Sequence, residues 1–240
     1  MGNFKIYNGF GITPTKSYSA AGWDFYVPII TEGNKAEALD GLKKSYKKTD
    51  KDIEKISASF EKYLAVMEYP NITMTPELIQ KNLLNLCHLL FAVDGSIMRS
   101  SQNKVKTFID YYLIWDELRE VPGVQLHCND SVFINSGIKT ALEHNTAGVF
   151  FNKSGKGVKG FDTRACVVDE DYTGYVHLNL AFTKDNVSDG RVFCGDKLSQ
   201  MLLLPIIHTT TCEELNAFDY AKYMEGSERG ADGFGSTDNK

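Results

Sequence analysis

Three short clusters in the chain combine residue types that could do chemistry on a charged substrate. Asp169-Glu170-Asp171, followed by Tyr172, gathers carboxylates in one loop, where one of them could orient a water and accept its proton. Asn152-Lys153-Ser154-Gly155 offers an ammonium, a hydroxyl and a glycine-containing backbone whose N–H groups suit anionic oxygens. The segment from Gly226 to Lys240 carries Arg229 and Phe234 among glycines and serines. Each has a plainer reading when taken alone: an acidic turn, a surface turn, an ordinary strand aromatic at Tyr172 and a polar tail without fixed structure. Metal chemistry on protein ligands is not suggested. The five cysteines are widely spaced without a C-x-x-C pair, and the five histidines show no metal-ligand spacing.

Two kinds of element must position these clusters. From Phe4 to Ile30 and from Val124 to Ile207, short runs rich in Val, Ile, Phe, Tyr and Thr alternate with Gly, Asn and Asp, as in Val132-Phe133-Ile134-Asn135 and Tyr175-Val176-His177-Leu178. These read as strands of a sandwich or barrel. Between them, Asn34 to Glu120 changes to helical spacing. Thr49 can cap a helix carrying Ile53, Ile56, Phe60, Leu64 and Met67, which Pro70 ends. Thr75-Pro76-Glu77 starts a second, with Ile79, Leu83, Leu86 and Leu90 as its stripe and Leu84, Leu89 and Phe91 widening it. A third is expected from about Gln102 to Leu118, with Val105, Phe108, Ile109, Tyr112 and Trp115 on one side. The spacing therefore predicts a small helical bundle with its own core, inserted into a β body and hinged at Gly33 and at Val121-Pro122-Gly123.

The 42% hydrophobic content of these 240 residues is enough for a substantial core, yet no apolar run approaches the roughly 20 residues of a membrane span. A net charge of −5 argues against broad nucleic-acid binding. The lysines from Lys43 to Lys55 are interleaved with Asp50, Asp52 and Glu54 and read first as a solvated helix face, second as a contact for a partner or a nucleic acid. The N-terminus lacks the layout of a signal peptide, so a cytoplasmic protein is expected.

Five segments, in order, resemble the motifs of the trimeric dUTPase family. Ser19-Ala20-Ala21-Gly22-Trp23-Asp24-Phe25 is similar to A-A-G-Y-D-L, and Asn152-Lys153-Ser154-Gly155 to P-R-S-G. Val167-Val168-Asp169-Glu170-Asp171-Tyr172-Thr173-Gly174 resembles G-V-I-D-E-D-Y-R-G, and Gly195-Asp196-Lys197-Leu198-Ser199-Gln200 resembles G-D-R-I-A-Q. Arg229-Gly230-Ala231-Asp232-Gly233-Phe234-Gly235-Ser236-Thr237 matches R-G-x-G-G-F-G-S-T. The resemblance implies a mainly β fold, a distorted jelly roll assembled as a homotrimer with active sites between subunits. It implies a body made of residues 1–33 and 121–225, a helical insertion over 34–120 and an arm over 226–240 that closes on an active site. The implied reaction is Mg²⁺-dependent hydrolysis of dUTP to dUMP and pyrophosphate, which limits uracil incorporation into DNA and supplies dUMP.

The same resemblance implies roles by position. Asp169 would activate the water, Tyr172 would lie under the deoxyribose and exclude a 2′-hydroxyl, and backbone near Cys166 and His177 would read the uracil edge. Lys153, Ser154, Gly155 and Gln200 would contact phosphates. Arg229 would grip the γ-phosphate, Phe234 would stack on uracil, and Gly235, Ser236 and Thr237 would close over the phosphates. Asp24 would meet Mg²⁺ through water. Lys153 stands where the family usually has Arg and offers a point charge in place of a bidentate fork, and Asp232 replaces a usual Gly, an extra negative charge near the phosphates that is unfavourable unless it points away. A dCTP deaminase would carry a glutamate near Asn179, so that reading is disfavoured. A nucleotide-gated regulatory protein that binds a partner through the insertion is the other alternative.

Overall fold

Alternation of apolar and polar residues sets the sheets. In a computed structural model, residues 4–66, 81–164, 166–208, 212–223 and 225 are described. Strand β1 is Lys5–Asn8, β2 Trp23–Tyr26, β3 Phe91–Asp94, β4 Leu113–Asp116, β5 Val121–Gln125, β6 Ser131–Asn135 and β7 Ile138–Ala141. After them come β8 Thr146–Asn152, β9 Phe161–Arg164, β10 Val167–Val168, β11 His177–Phe182, β12 Arg191–Phe193 and β13 Lys197–Pro205. Among the described residues they pair antiparallel in the orders β1-β7, β9-β11-β6-β3, β10-β8-β13-β2 and β12-β5-β4. The mainly β class expected from the sequence is what the chain adopts. Leu178 lies opposite Ile134 and Leu180 opposite Val132, all four buried, so their shared face lines the core. On the opposite face of the same strands, the His177 ring stacks on Phe133 at 4.5 Å.

Helix α1 (Lys35–Tyr46) buries Ala38, Gly41 and Leu42, positions three and four apart, and lies against this second face. Tyr46 donates its hydroxyl to the Phe133 carbonyl at 3.2 Å, and Asn135 donates to Ser45 Oγ at 2.7 Å. Helix α2 (Asp50–Val66) begins as the sequence indicates. Thr49 Oγ1 accepts from Asp52 N at 3.3 Å while Asp52 returns a carboxylate to Thr49 N at 2.8 Å, a reciprocal cap. Helix α3 is described over Lys81–Leu90, with Leu84, Leu86, Leu89 and Leu90 buried; its expected start at Thr75-Pro76-Glu77 lies outside the described residues.

The insertion differs from its expected form in three places. Phe91, read as widening a helical stripe, instead opens β3, which pairs with β6. The expected helix over 102–118 breaks into α5 (Lys104–Thr107), a π-helical turn at Phe108–Tyr112 and β4, which pairs with β5, and a separate short α4 (Ser96–Ser100) precedes it. The π turn keeps Phe108, Ile109 and Tyr112 all inward, after which the β-branched Ile114 and aromatic Trp115 suit a strand. Val121-Pro122-Gly123, read as a hinge, is ladder-paired strand. The reason is common to all three: the inserted apolar faces do not close on each other alone. Phe60, Leu90, Phe91, Phe108 and Tyr112 belong to one continuous core with Phe25, Phe150, Phe161 and Leu198.

Contacts divide the chain into a unit ending at Ile206 and another over Ile207–Lys240. In the second, α7 (Ala217–Tyr223) is capped by Asn216, whose side-chain oxygen accepts from Phe218 N and Asp219 N at 3.0 Å.

Candidate active site

Strand β13 runs between β2 and β8, and this arrangement gathers three of the motifs. Gln200 lies opposite Asp24 on one side and Phe151 on the other, so all three share one face of the sheet. Just past the end of β8, Lys153 reaches back to Asp24 Oδ1 at 2.5 Å, and Lys197 meets Asp24 Oδ2 at 3.2 Å. Partial burial works against the Asp24 charge, but hydrogen bonds from Lys153 and Lys197 outweigh it and hold the carboxyl below its ordinary value. Asp24 is therefore a fixed anion flanked by two ammoniums. Gln200 Nε2 donates to the Asn152 carbonyl at 3.2 Å, which ties the fourth motif to the second.

The chain turns at Lys153 into α6 (Ser154–Val158). Ser154 and Gly155 are exposed, and a side chain at Gly155 would meet no atom within 4 Å. Among the described residues nothing fills that space. Asp196, from the fourth motif, anchors the turn from behind. Its Oδ2 accepts from Lys156 Nζ at 3.0 Å and from Phe193 N at 3.2 Å, and its Oδ1 accepts from Arg119 at 2.8 Å. Sequence reading passed over Arg119, Lys156 and Lys197; Lys197, inside the G-D-K segment, carried a signal, whereas Arg119 carried none.

The third motif is built on the short β10, which pairs with β8 at Val149 and Gly148. Asp169 follows as an exposed residue, and no described residue hydrogen-bonds its carboxylate. Glu170 does the anchoring, accepting from Asn145 N at 2.5 Å and lying 2.9 Å from His144 Nδ1. Tyr172 donates its hydroxyl to the Tyr175 carbonyl at 2.9 Å. Its ring lies over Gly174, where an added Cβ would sit 2.5 Å from the tyrosine oxygen, so a larger residue there would displace the ring from this position. The Cys166 carbonyl accepts from Phe150 N at 2.8 Å. The His177 ring is enclosed by Phe133 and Tyr46, and burial lowers its pKa, keeping it neutral. At both positions the side chain serves packing.

Within one chain the motifs form two groups. Val168 is opposite Gly148, whereas Lys153 lies five residues further along, about 16 Å at the rise of an extended strand. Asp24, Gln200 and Lys153 are together; Asp169 and Tyr172 are elsewhere on the sheet. Arg229, Phe234, Gly235, Ser236 and Thr237 lie outside the described residues.

Comparison with known proteins identifies the family. The dUTPase family model matches residues 117–238. The chain is 34% identical over 110 residues to the deoxyuridine 5'-triphosphate nucleotidohydrolase of Yarrowia lipolytica, covering 45% of this chain and 66% of that protein. It is 37% identical over 124 residues to the enzyme of that name from Kluyveromyces lactis, covering 51% and 78%. A solved structure of a Staphylococcus bacteriophage 80alpha dUTPase mutant with dUpNHpp covers 99% of each chain at 11% identity with a TM-score of 0.49, and adds no weight to the assignment. The family match begins at residue 117, and the segment before it is tied to the rest by the pairing of Asp24 with Gln200. On the sequence matches alone, this chain belongs to the dUTPase family.

Proposed function

We propose that the chain hydrolyses dUTP to dUMP and pyrophosphate at sites shared between subunits of a homotrimer. The observation that carries this reading is the clustering of Asp24, Lys153 and Gln200 from three separate motifs, with the exposed Asp169 held about 16 Å away along β8. With the groups this far apart along one strand, subunits that each contribute one of them bring both to the phosphates of a single nucleotide. The sheet bearing them supports such an assembly: Phe151 (45% exposed), Val167 (63%) and Leu204 leave an apolar face beside Asp24 and Gln200 that a second copy can cover.

In this reading Lys153, Ser154, Gly155 and Gln200 hold the phosphates, with the open space at Gly155 receiving an oxygen that its N–H can meet. Asp169 orients the water and takes its proton as the water attacks the α-phosphorus and the pyrophosphate leaves. Tyr172 lies beneath the deoxyribose, and the backbone at Cys166 and His177 reads the uracil edge, where a wrong base leaves buried groups unpaired. Arg229, Phe234, Gly235, Ser236 and Thr237 close the site. Asp24 fits a contact to Mg²⁺ through water better than direct ligation, because both its oxygens already accept from lysines. When bound, the ion would neutralise triphosphate charge. Lys153 supplies a point charge, so orientation of the phosphates falls to the backbone and Gln200. Asn179 provides no carboxylate for deamination.

The test is turnover of dUTP with Mg²⁺ by the wild type and by Asp169→Asn. Loss of a positioned base is expected to reduce kcat by about 10²- to 10⁴-fold while dUpNHpp still binds. Turnover by the variant near the wild-type rate would overturn the role of Asp169. No turnover by the wild type would overturn the activity.

A further inference from the structure

Asp196 is the meeting point of four segments. Its carbonyl accepts from Val27 N at 2.9 Å, just beyond the first-motif strand, and its carboxylate is shared by Phe193 N, Lys156 and Arg119. The side chains of Asp196 and Lys156 are each only 16% exposed, so the carboxylate depends on these donors rather than on water. Lys156 lies one turn past Lys153, and Asp196 directly precedes Lys197. Their bridge therefore fixes the spacing between the turn that presents Lys153, Ser154 and Gly155 and the strand that presents Gln200.

Arg119 enters from outside every motif. It sits in the turn between β4 and β5, where the insertion returns to the body. Its Nε donates to Asp116 at 2.6 Å, its Nη1 donates to Asp196 at 2.8 Å, and its guanidinium covers the Phe193 ring at 5.0 Å. With two edges of the guanidinium spent on carboxylates, Arg119 acts on the site only through Asp196. The planar fork is what allows one side chain to join both carboxylates; a lysine offers a single point of attachment.

We propose that Arg119 is a positioning residue for the triphosphate: with Lys156 it locks Asp196, and this clamp holds the 153–155 turn and Gln200 at the spacing that phosphate oxygens require. The inference rests on the functional reading above. It assigns the exit of the insertion a direct part in phosphate recognition, and it leaves nucleoside recognition, carried by the third motif, untouched.

The experiment compares wild type, Arg119→Met, Arg119→Lys, Lys156→Met and the Arg119/Lys156 double variant. Binding of dUpNHpp and of dUMP is measured by calorimetry, with dUTP kinetics alongside and thermal melting as a check on folding. Arg119→Met is expected to weaken dUpNHpp binding by at least about tenfold and to raise KM similarly, because a displaced contact group costs at least that much. Binding of dUMP and kcat should change by less than about twofold. Arg119→Lys should recover only part of the loss, and the double variant should lose little more than either single one, since both act on one carboxylate. Unchanged dUpNHpp affinity in Arg119→Met and Lys156→Met overturns the clamp while leaving the functional reading intact. Equal loss of dUMP and dUpNHpp overturns it in favour of a purely structural role. A wild type that binds neither nucleotide overturns the functional reading, and the clamp with it.

Discussion

Two ionisable side chains are held in opposite states by their surroundings. Asp24 remains an anion because Lys153 and Lys197 outweigh its partial burial. His88, on α3, remains neutral because it lies edge-on to Phe108 and Phe60 at 5.2 and 6.3 Å, with no ion pair among the described residues. Burial, aided by the nearby Lys48 charge, lowers its pKa from 6.5 to about 4. Between those values the unfolded chain binds a proton that the folded chain does not. Stability from His88 is therefore complete above about pH 6.5 and is lost progressively as the pH falls to about 4, where both forms are protonated. His88→Leu should lose less stability than wild type between pH 7 and pH 5, read as the shift in urea midpoint. Equal shifts in the two proteins would show that His88 is protonated without cost. The imidazole could be named from the sequence, but its burial could not, because a histidine on an apolar stripe is compatible with either surface or core.

Among elements, the inserted strands β3 and β4 matter most. Each completes a sheet of the body, β3 beside β6 and β4 beside β5, and fully buried Phe91 and Phe108 fill the shared core. Each such ring contributes about 1.5 to 3 kcal/mol by burial, so losing Phe60, Phe91, Phe108 and Tyr112 together removes about 6 to 12 kcal/mol, comparable with the roughly 5 to 15 kcal/mol that holds a typical domain together. Replacing residues 34–120 with a Gly/Ser linker should therefore give an insoluble or unfolded product, measured as soluble yield and loss of a cooperative melt. A soluble, cooperatively folded deletion would mean that the two faces can close without these strands. Helix α1 adds a second tie, since Tyr46 and Ser45 bond the backbone of Phe133 and the side chain of Asn135.

For the whole molecule, the separation of Asp169 from Lys153 along β8 leads to a test of assembly. Asp169→Asn and Lys153→Ala chains, each with low dUTP turnover alone, should regain activity when unfolded and refolded together. In a mixed trimer some sites then pair an intact Asp169 from one subunit with an intact Lys153 from another. Mixed trimers, confirmed by tagged-subunit capture, that stay inactive would place both residues of a site in one chain. Phe151 and Val167 are exposed beside these groups, so their replacement by Asp should weaken mixed-trimer formation if the proposed assembly covers them.

What the sequence determined by itself was local or periodic: the alternation that makes β6 and β11, the Thr49 cap, the order of the five motifs and the residue types able to move a proton or meet a phosphate. The tertiary structure decided what depends on partners distant in the chain. Leu113-Ile114-Trp115 has apolar spacing that serves a helix or a strand, and only pairing with Val121 to Val124 selects the strand. Asp24 and Lys153, 129 positions apart, become an ion pair because β13 happens to run between their strands. Arg119 could not be read from its neighbours, because its function lies in bridging Asp116 to Asp196, a carboxylate 77 positions away. Periodicity records which face of an element is buried; it does not record against what.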